Sequence, residues 1–186
     1  AGLIRAHKRA PKEVPGHGVV DYGFVGDIQS VDTKVLERLL ADGFVPIVSP
    51  LSADEHGQIL NINADVVAAS LGKALKAEKL ILVTGVAGIL RDVTDPSSLI
   101  SYTDIEGLEA LEASGCITGG MLPKLTSIKD ALHGGVARVH VIHSHNPDSL
   151  LLEVFTNEGA GTLVVHDIDE LRPEEAQASD LHAHAH

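Results

Sequence analysis

The sequence predicts an α/β fold in which a mainly parallel sheet is covered by helices on both faces. Three observations predict it. Short apolar runs of strand length alternate with longer segments whose apolar positions recur at helical spacing, an order that implies right-handed crossovers between parallel strands. Aromatic residues make up only 3% of the chain, with no Trp, while glycine occurs 18 times, so the core is Val, Ile, Leu and Ala at close backbone approach. With 44% apolar and 22% charged residues, the 186-residue chain can bury a substantial core, and no internal repeat interrupts it.

The elements follow in order. Leu3 to Lys8 and Val19 to Ile28 read as extended, the second broken by Gly23 and Gly26, and the Pro/Gly-rich stretch between them suits a hairpin. Asp32 is placed to cap a helix with the apolar face Val35, Leu36, Leu39 and Leu40, closed by Gly43 where a left-handed C-cap belongs. Phe44 to Val48 follows as a buried strand, and Asp54 to Gly57 as a turn. A second helix spans about Ala64 to Lys76 with Val66, Val67, Leu71 and Leu75 inward, and Lys79 to Thr84 is a continuous apolar strand after it. Thr103 and Glu106 form a capping box for a third helix ending at Gly115. A fourth starts at Gly119-Gly120 and stops at Gly134-Gly135. Arg138 to Ile142 is the next strand, Pro147 opens a helix through Glu153, and Thr162 to Val165 is the last strand.

Charge and cysteine usage exclude several functions. The net charge of −12 offers no broad basic face, which argues against nucleic acid or an anionic membrane as partner. No apolar stretch approaches the roughly 20 residues of a membrane span. Cys116, the one cysteine, cannot close an intramolecular disulfide, which points to a reducing compartment and packing-based stability. The opening Ala-Gly-Leu-Ile-Arg-Ala carries no signal peptide and no helix start signal, as expected of a chain entered midway. Residues 167 to 186 hold six acids against Arg172 and end in alternating His182, His184 and His186, a frayed or short-helical tail with little to bury.

Three places carry chemistry. Asn61, Asn63 and Asp65 sit between a strand end and a helix start, where two amides and a carboxylate can orient a substrate carboxylate or hold a cation, or simply cap the helix. Thr118-Gly119-Gly120-Met121-Leu122-Pro123-Lys124 lets backbone N–H groups approach a phosphate at a helix N-terminus with a lysine in reach, or serves as a flexible turn. Val83-Thr84-Gly85-Val86-Ala87-Gly88 leads a strand into a glycine-punctuated loop that either holds a nucleotide or connects elements. His140, His143 and His145 lack a carboxylate or Cys to complete a metal site, so none is assigned, and the absence of G-x-S-x-G leaves hydrolase readings without support.

Taken together, Gly2-Leu3-Ile4-Arg5-Ala6, Gly23-Phe24-Val25-Gly26-Asp27, Asn61-Ile62-Asn63-Ala64-Asp65, Gly119-Gly120-Met121 with Lys124, and Glu158-Gly159-Ala160-Gly161-Thr162 resemble the acetylglutamate kinase branch of the amino acid kinase family from residue 1 to about 166. The resemblance implies a three-layer αβα sandwich, incomplete at its N-terminus. It also implies ATP-dependent phosphorylation of the side-chain carboxylate of N-acetyl-L-glutamate in arginine biosynthesis, with Mg²⁺ bridging phosphates, in a cytoplasmic homo-oligomer. By resemblance Lys124 stabilises the transferring phosphoryl group and Asp65 orients the catalytic lysines. Asn61 and Asn63 bind the acyl amino acid, and Thr84, Gly85, Gly119, Gly120 and Met121 serve the nucleotide.

The implied domains are residues 1–62 as a remnant of the substrate lobe, 63–166 as the nucleotide-binding lobe and 167–186 as a tail. Glu153 and Gly159 correspond to an arginine effector site in sensitive relatives, although Asp148 stands where a histidine is often found. The family's Lys-x-Gly-Gly turn and His-Gly-Gly-Gly loop are absent, and Gly85 replaces the usual Asp of the nucleotide loop, which leaves the activity of the isolated chain open. An acetylaminoadipate-type kinase and a non-catalytic nucleotide-binding fragment are the alternatives.

Overall fold

A computed structural model describes residues 2–117, 119–145, 147–156 and 159–170; Thr118, Glu158 and the tail from residue 171 lie outside the described residues. The chain divides into two compact units, one running through Leu75 and the other beginning at Lys76.

The first unit contains β1 (Ile4–Lys8), β2 (Lys12–Val14), β3 (Gly18–Val20), β4 (Gly26–Val31), α1 (Lys34–Ala41), β5 (Leu51–Ala53), β6 (Ile59–Asn61) and α2 (Ala64–Ala74). Its sheet runs β4-β1-β5-β6. β1 pairs antiparallel with β4, so the expected partner of Leu3 to Lys8 holds only from Gly26 onward; Val19 and Val20 pair instead with Glu13 and Lys12 in the separate small hairpin of β2 and β3. β5 turns back antiparallel into β6 through Asp54–Gly57, where the Asp54 carboxylate accepts the N–H groups of His56 and Gln58.

The core of this unit is Ile4, Ala6, Leu60, Ile62 and Val67, with Leu3, Ile28, Val48 and Leu71 packed against it. Gly26 is required by close approach: a Cβ there would lie 2.9 Å from Leu60 Cβ. Val67 and Leu71 of α2 belong to this core, and the first unit runs through Leu75.

Two expectations need correction here. Phe44 to Val48 is not a strand, and of its apolar residues only Val48 packs against the core, with Phe44 61%, Val45 88% and Ile47 97% exposed. A buried strand needs a hydrogen-bonded neighbour, no described strand pairs with this segment, and Pro46 removes one of its donors. α1 likewise buries only Leu36, leaving Val35 and Leu40 in solvent. Its N-cap is Thr33, with Asp32 accepting from Lys34 N, while Gly43 takes the expected left-handed conformation.

The second unit contains β7 (Lys79–Thr84), β8 (Tyr102–Thr103), α3 (Ile105–Ala113), α4 (Met121–His133), β9 (Arg138–His143), α5 (Ser149–Phe155) and β10 (Gly161–Val165), with the sheet order β7-β9-β10-β8. β7 runs parallel to β9, β9 antiparallel to β10 and β10 parallel to β8. The fold is therefore α/β as expected, but both sheets are mixed rather than mainly parallel. β7 lies at an edge of this sheet, and Val83 of its apolar run is exposed while Leu82 and Thr84, on the opposite face, are buried. α4 and α5 both pack on β9, around fully buried Leu125, Ile128, Val139, Val141, Ile142 and Val164.

The cap of α3 is Asp104, whose carboxylate accepts from Gly107 N at 2.8 Å, and not Thr103, which ends β8. Gly107 permits this because a Cβ there would collide with the Thr103 hydroxyl. No described helix is long and apolar enough to cross a membrane.

Candidate functional site

In the second unit the end of β7 leads into a loop held by its own side chains. The Thr84 hydroxyl accepts from Val86 N at 3.1 Å and donates to Val86 O at 2.8 Å, so this side chain is engaged in shaping the turn. No atom lies within 4 Å of where a Gly85 Cβ would stand, which leaves that backbone open to approach. Farther along, Ile89 N donates to Thr162 Oγ1 at 2.8 Å, and Ile100 N donates to Ile89 O at 2.9 Å.

The second glycine segment opens α4. Gly119 has φ +59°, and the N-cap is Gly120, which has no side chain to cap the helix; among the described residues no side-chain cap hydrogen bond is made there. The first N–H groups of α4 and the positive end of the helix dipole are suited to an anion, and Lys124 lies one turn farther on, half-buried. Met121, the first residue of α4, lines a pocket of about 80 Å³ together with Val86, Gly88, Leu90, Val93 and Ile117. Two of the three sequence segments singled out for chemistry thus meet at one small, largely apolar pocket.

The third segment belongs to the first unit. Asn61 ends β6 and donates its N–H to Phe24 O at 2.8 Å. Asn63 is the N-cap of α2, its Oδ1 accepting from Asp65 N at 2.8 Å and Val66 N at 3.3 Å. The capping role is therefore real for Asn63, and it engages the amide oxygen. Asp65 occupies the first turn of α2, where its charge complements the helix dipole.

A pair that the sequence reading did not join lies deeper in the second unit. His140 Nδ1 and Glu153 Oε1 are 2.5 Å apart, both side chains buried, and Glu153 Oε2 accepts from Ala160 N at 2.6 Å. Burial pushes the Glu153 carboxyl up, but the hydrogen bonds from His140 and the backbone of Ala160 and Gly161 outweigh it and hold the group below the usual carboxylate range. Its signal was faint: a histidine inside an apolar strand and an acid on the next helix, with no diagnostic spacing. The rings of His143 and His145 instead meet at a tilt of 58°, with centroids 4.9 Å apart. No group of three His, Cys, Asp or Glu that could hold a metal occurs among the described residues.

Comparison with known proteins gives these segments a context. Residues 3–143 match the model of the amino acid kinase family. The acetylglutamate kinase of Myxococcus xanthus is 49% identical over 172 residues, covering 90% of this chain and 56% of the relative. That of Symbiobacterium thermophilum is 48% identical over 165 residues, covering 89% and 56%. The chain thus spans about half the length of the curated relatives it matches. Among solved structures, an N-acetylglutamate synthase from Neisseria gonorrhoeae, complexed with coenzyme A and L-arginine, aligns at a TM-score of 0.77 and 27% identity, covering 90% of this chain and 37% of the synthase. The family match takes in the first extended segment, both glycine loops, the Asn-Asp cluster and α4, and on that extent the chain belongs to the amino acid kinase family.

Proposed function

We propose that this chain serves ATP-dependent phosphorylation of the side-chain carboxylate of N-acetyl-L-glutamate, a step of arginine biosynthesis in the cytoplasm. The observation that carries the reading is the pocket at which the loop after β7 meets the start of α4, combined with 49% identity to an acetylglutamate kinase. Phosphoryl transfer asks for positioning and charge neutralisation more than covalent chemistry. Open backbone at Gly85, Gly119 and Gly120 suits close approach of phosphate oxygens, and Met121 suits an apolar part of the nucleotide. Thr84 contributes by shaping the loop, since its hydroxyl is engaged with Val86.

Lys124 takes the role of stabilising charge on the transferring phosphoryl group. Asp65 takes the orienting role, and Asn61 and Asn63 the binding of the acyl amino acid, Asn63 through the amide nitrogen because its oxygen caps α2. The described residues form no carboxylate cluster for Mg²⁺, so the ion would be held chiefly by the nucleotide's own phosphates and water. The same reading takes arginine as effector and the protein as a homo-oligomer. Glu153 would have to exchange His140 or Ala160 for the guanidinium, because both its oxygens are engaged.

The test replaces the matching segment of the Myxococcus kinase by this chain and measures acyl phosphate formation from ATP. Turnover with N-acetyl-L-glutamate that disappears in Lys124→Ala supports the proposal. Preference for acetylaminoadipate reassigns the substrate, and nucleotide binding by a folded chimera without turnover establishes the non-catalytic alternative.

A further inference from the structure

We infer that Thr162 is a positioning residue for the nucleotide pocket: its hydroxyl holds the loop after β7 against β10, so that Val86 to Leu90 faces Met121. The inference rests on the reading of that pocket as the ATP site. Thr162 has no exposed surface, and its Oγ1 accepts from Ile89 N at 2.8 Å across 73 residues of sequence. The neighbouring residue is fitted to the same hydroxyl. A Cβ on Gly88 would stand 2.6 Å from Thr162 Oγ1 and 2.7 Å from Leu99 Cδ1, so only glycine lets the loop come this close.

Thr162 is itself fixed from the other side. Ala160 N donates to the buried Glu153 carboxylate, and a Cβ on Gly161 would collide with the carbonyl of Val141, so the start of β10 is seated directly on β9. Gly88 and Leu90, on either side of the Ile89 amide, both line the pocket with Met121. A loop with this many glycines has many conformations available to it, and one buried hydrogen bond between the two pocket-lining residues restricts them.

Thr162→Val keeps the shape of the side chain and removes the acceptor, leaving the Ile89 amide buried and unpaired, whereas Thr162→Ser restores it. Met121 is the only methionine of the sequence, so its labelled ε-methyl gives a single NMR reporter of the pocket. The expected result is a shifted Met121 methyl and about tenfold weaker MgATP binding in Thr162→Val, the size of effect expected from one lost buried hydrogen bond, with both restored in Thr162→Ser. Gly88→Ala, approaching the same contact from the loop, gives the same pair of changes.

An unmoved methyl in folded Thr162→Val, or equal shifts in the Val and Ser variants, overturns the inference. Hydrogen exchange in the unaltered chain decides it without any variant: a protected Ile89 amide supports the brace, and rapid exchange overturns it. If the unaltered chain binds no MgATP the ATP reading falls, and the methyl shift then decides the brace by itself.

Discussion

His140 Nδ1 lies 2.5 Å from Glu153 Oε1 inside the second unit, joining β9 to α5, and the second oxygen of the same carboxylate holds Ala160 N at the entrance to β10. One side chain therefore ties three consecutive pieces of structure together. Removing it strands a buried imidazole and an unpaired amide. Glu153→Ala is expected to destabilise the second unit by about 3–5 kcal/mol, the usual cost of breaking a buried pair from one side, read by urea denaturation. A loss within about 0.5 kcal/mol, the usual range for a surface substitution, would mean that the pair carries no weight.

The same carboxyl sets a pH dependence. Its pKa is held below the usual carboxylate range in the folded chain and returns to that range on unfolding, so its contribution is fully present above the ordinary value. As pH falls through the lowered folded value the contribution disappears. Thermal unfolding followed on the acid side is expected to fall more steeply in the unaltered chain than in Glu153→Gln, which lacks the titrating group. Parallel acid limbs would assign the pH response to other carboxylates.

How much of this was legible in sequence depended on the range of the interactions. Gly43, Gly115 and Gly135 marked helix ends correctly because a left-handed cap is a local demand that the chain meets within a few residues. The pairing of β1 with the start of β4 was legible through the Pro/Gly-rich stretch between them, but the small β2–β3 hairpin that takes up Val19 and Val20 was not. Phe44 to Val48 failed because a run of apolar residues states a preference for burial without stating what covers it. The cap of α3 moved one residue, from Thr103 to Asp104, because the first residue was drawn into pairing with β10. At the site, the glycine loops could be singled out by their residue types, and Met121 by the family resemblance. Thr162 and the His140–Glu153 pair could not, since their partners are distant in sequence and their residue types are ordinary.

Gly26 makes the close approach in the first unit measurable. A Cβ there would meet Leu60 Cβ at 2.9 Å, Leu60 Cδ1 at 3.2 Å and Ala6 Cβ at 3.4 Å, all in the core of that unit. Gly26→Ala is expected to cost about 1–3 kcal/mol as an overpacked core, and Gly26→Ala combined with Leu60→Ala is expected to fall short of the sum of the two single losses. Additive losses would show that Leu60 is not the atom in the way.

Lys124 separates the nucleotide reading from a structural one. It sits one turn into α4, past the glycine-capped start of the helix at Met121, where an ammonium group can meet the same anion as the helix end. In the chimera with the Myxococcus kinase, Lys124→Ala is expected to lower turnover about 10²- to 10³-fold, the range for losing one preorganised charge-stabilising donor, while the melting temperature stays close to that of the parent. Full turnover in Lys124→Ala would remove it from the machinery.

Asn63 allows its two roles to be measured apart. Its Oδ1 caps α2 through Asp65 N and Val66 N, a bond that serine can also make with its hydroxyl, whereas alanine cannot. Asn63→Ala is expected to cost about 1 kcal/mol, which for a chain of this size lowers the melting temperature by roughly 2–4 °C, and Asn63→Ser to recover most of it. The proposed contact with the acyl amino acid uses the amide nitrogen, which serine does not supply. In the kinase chimera Asn63→Ser is then expected to raise the KM for N-acetyl-L-glutamate with the KM for ATP unchanged. If serine restores both stability and KM, Asn63 is a helix cap and nothing more, and substrate recognition falls to Asn61 and the residues around it.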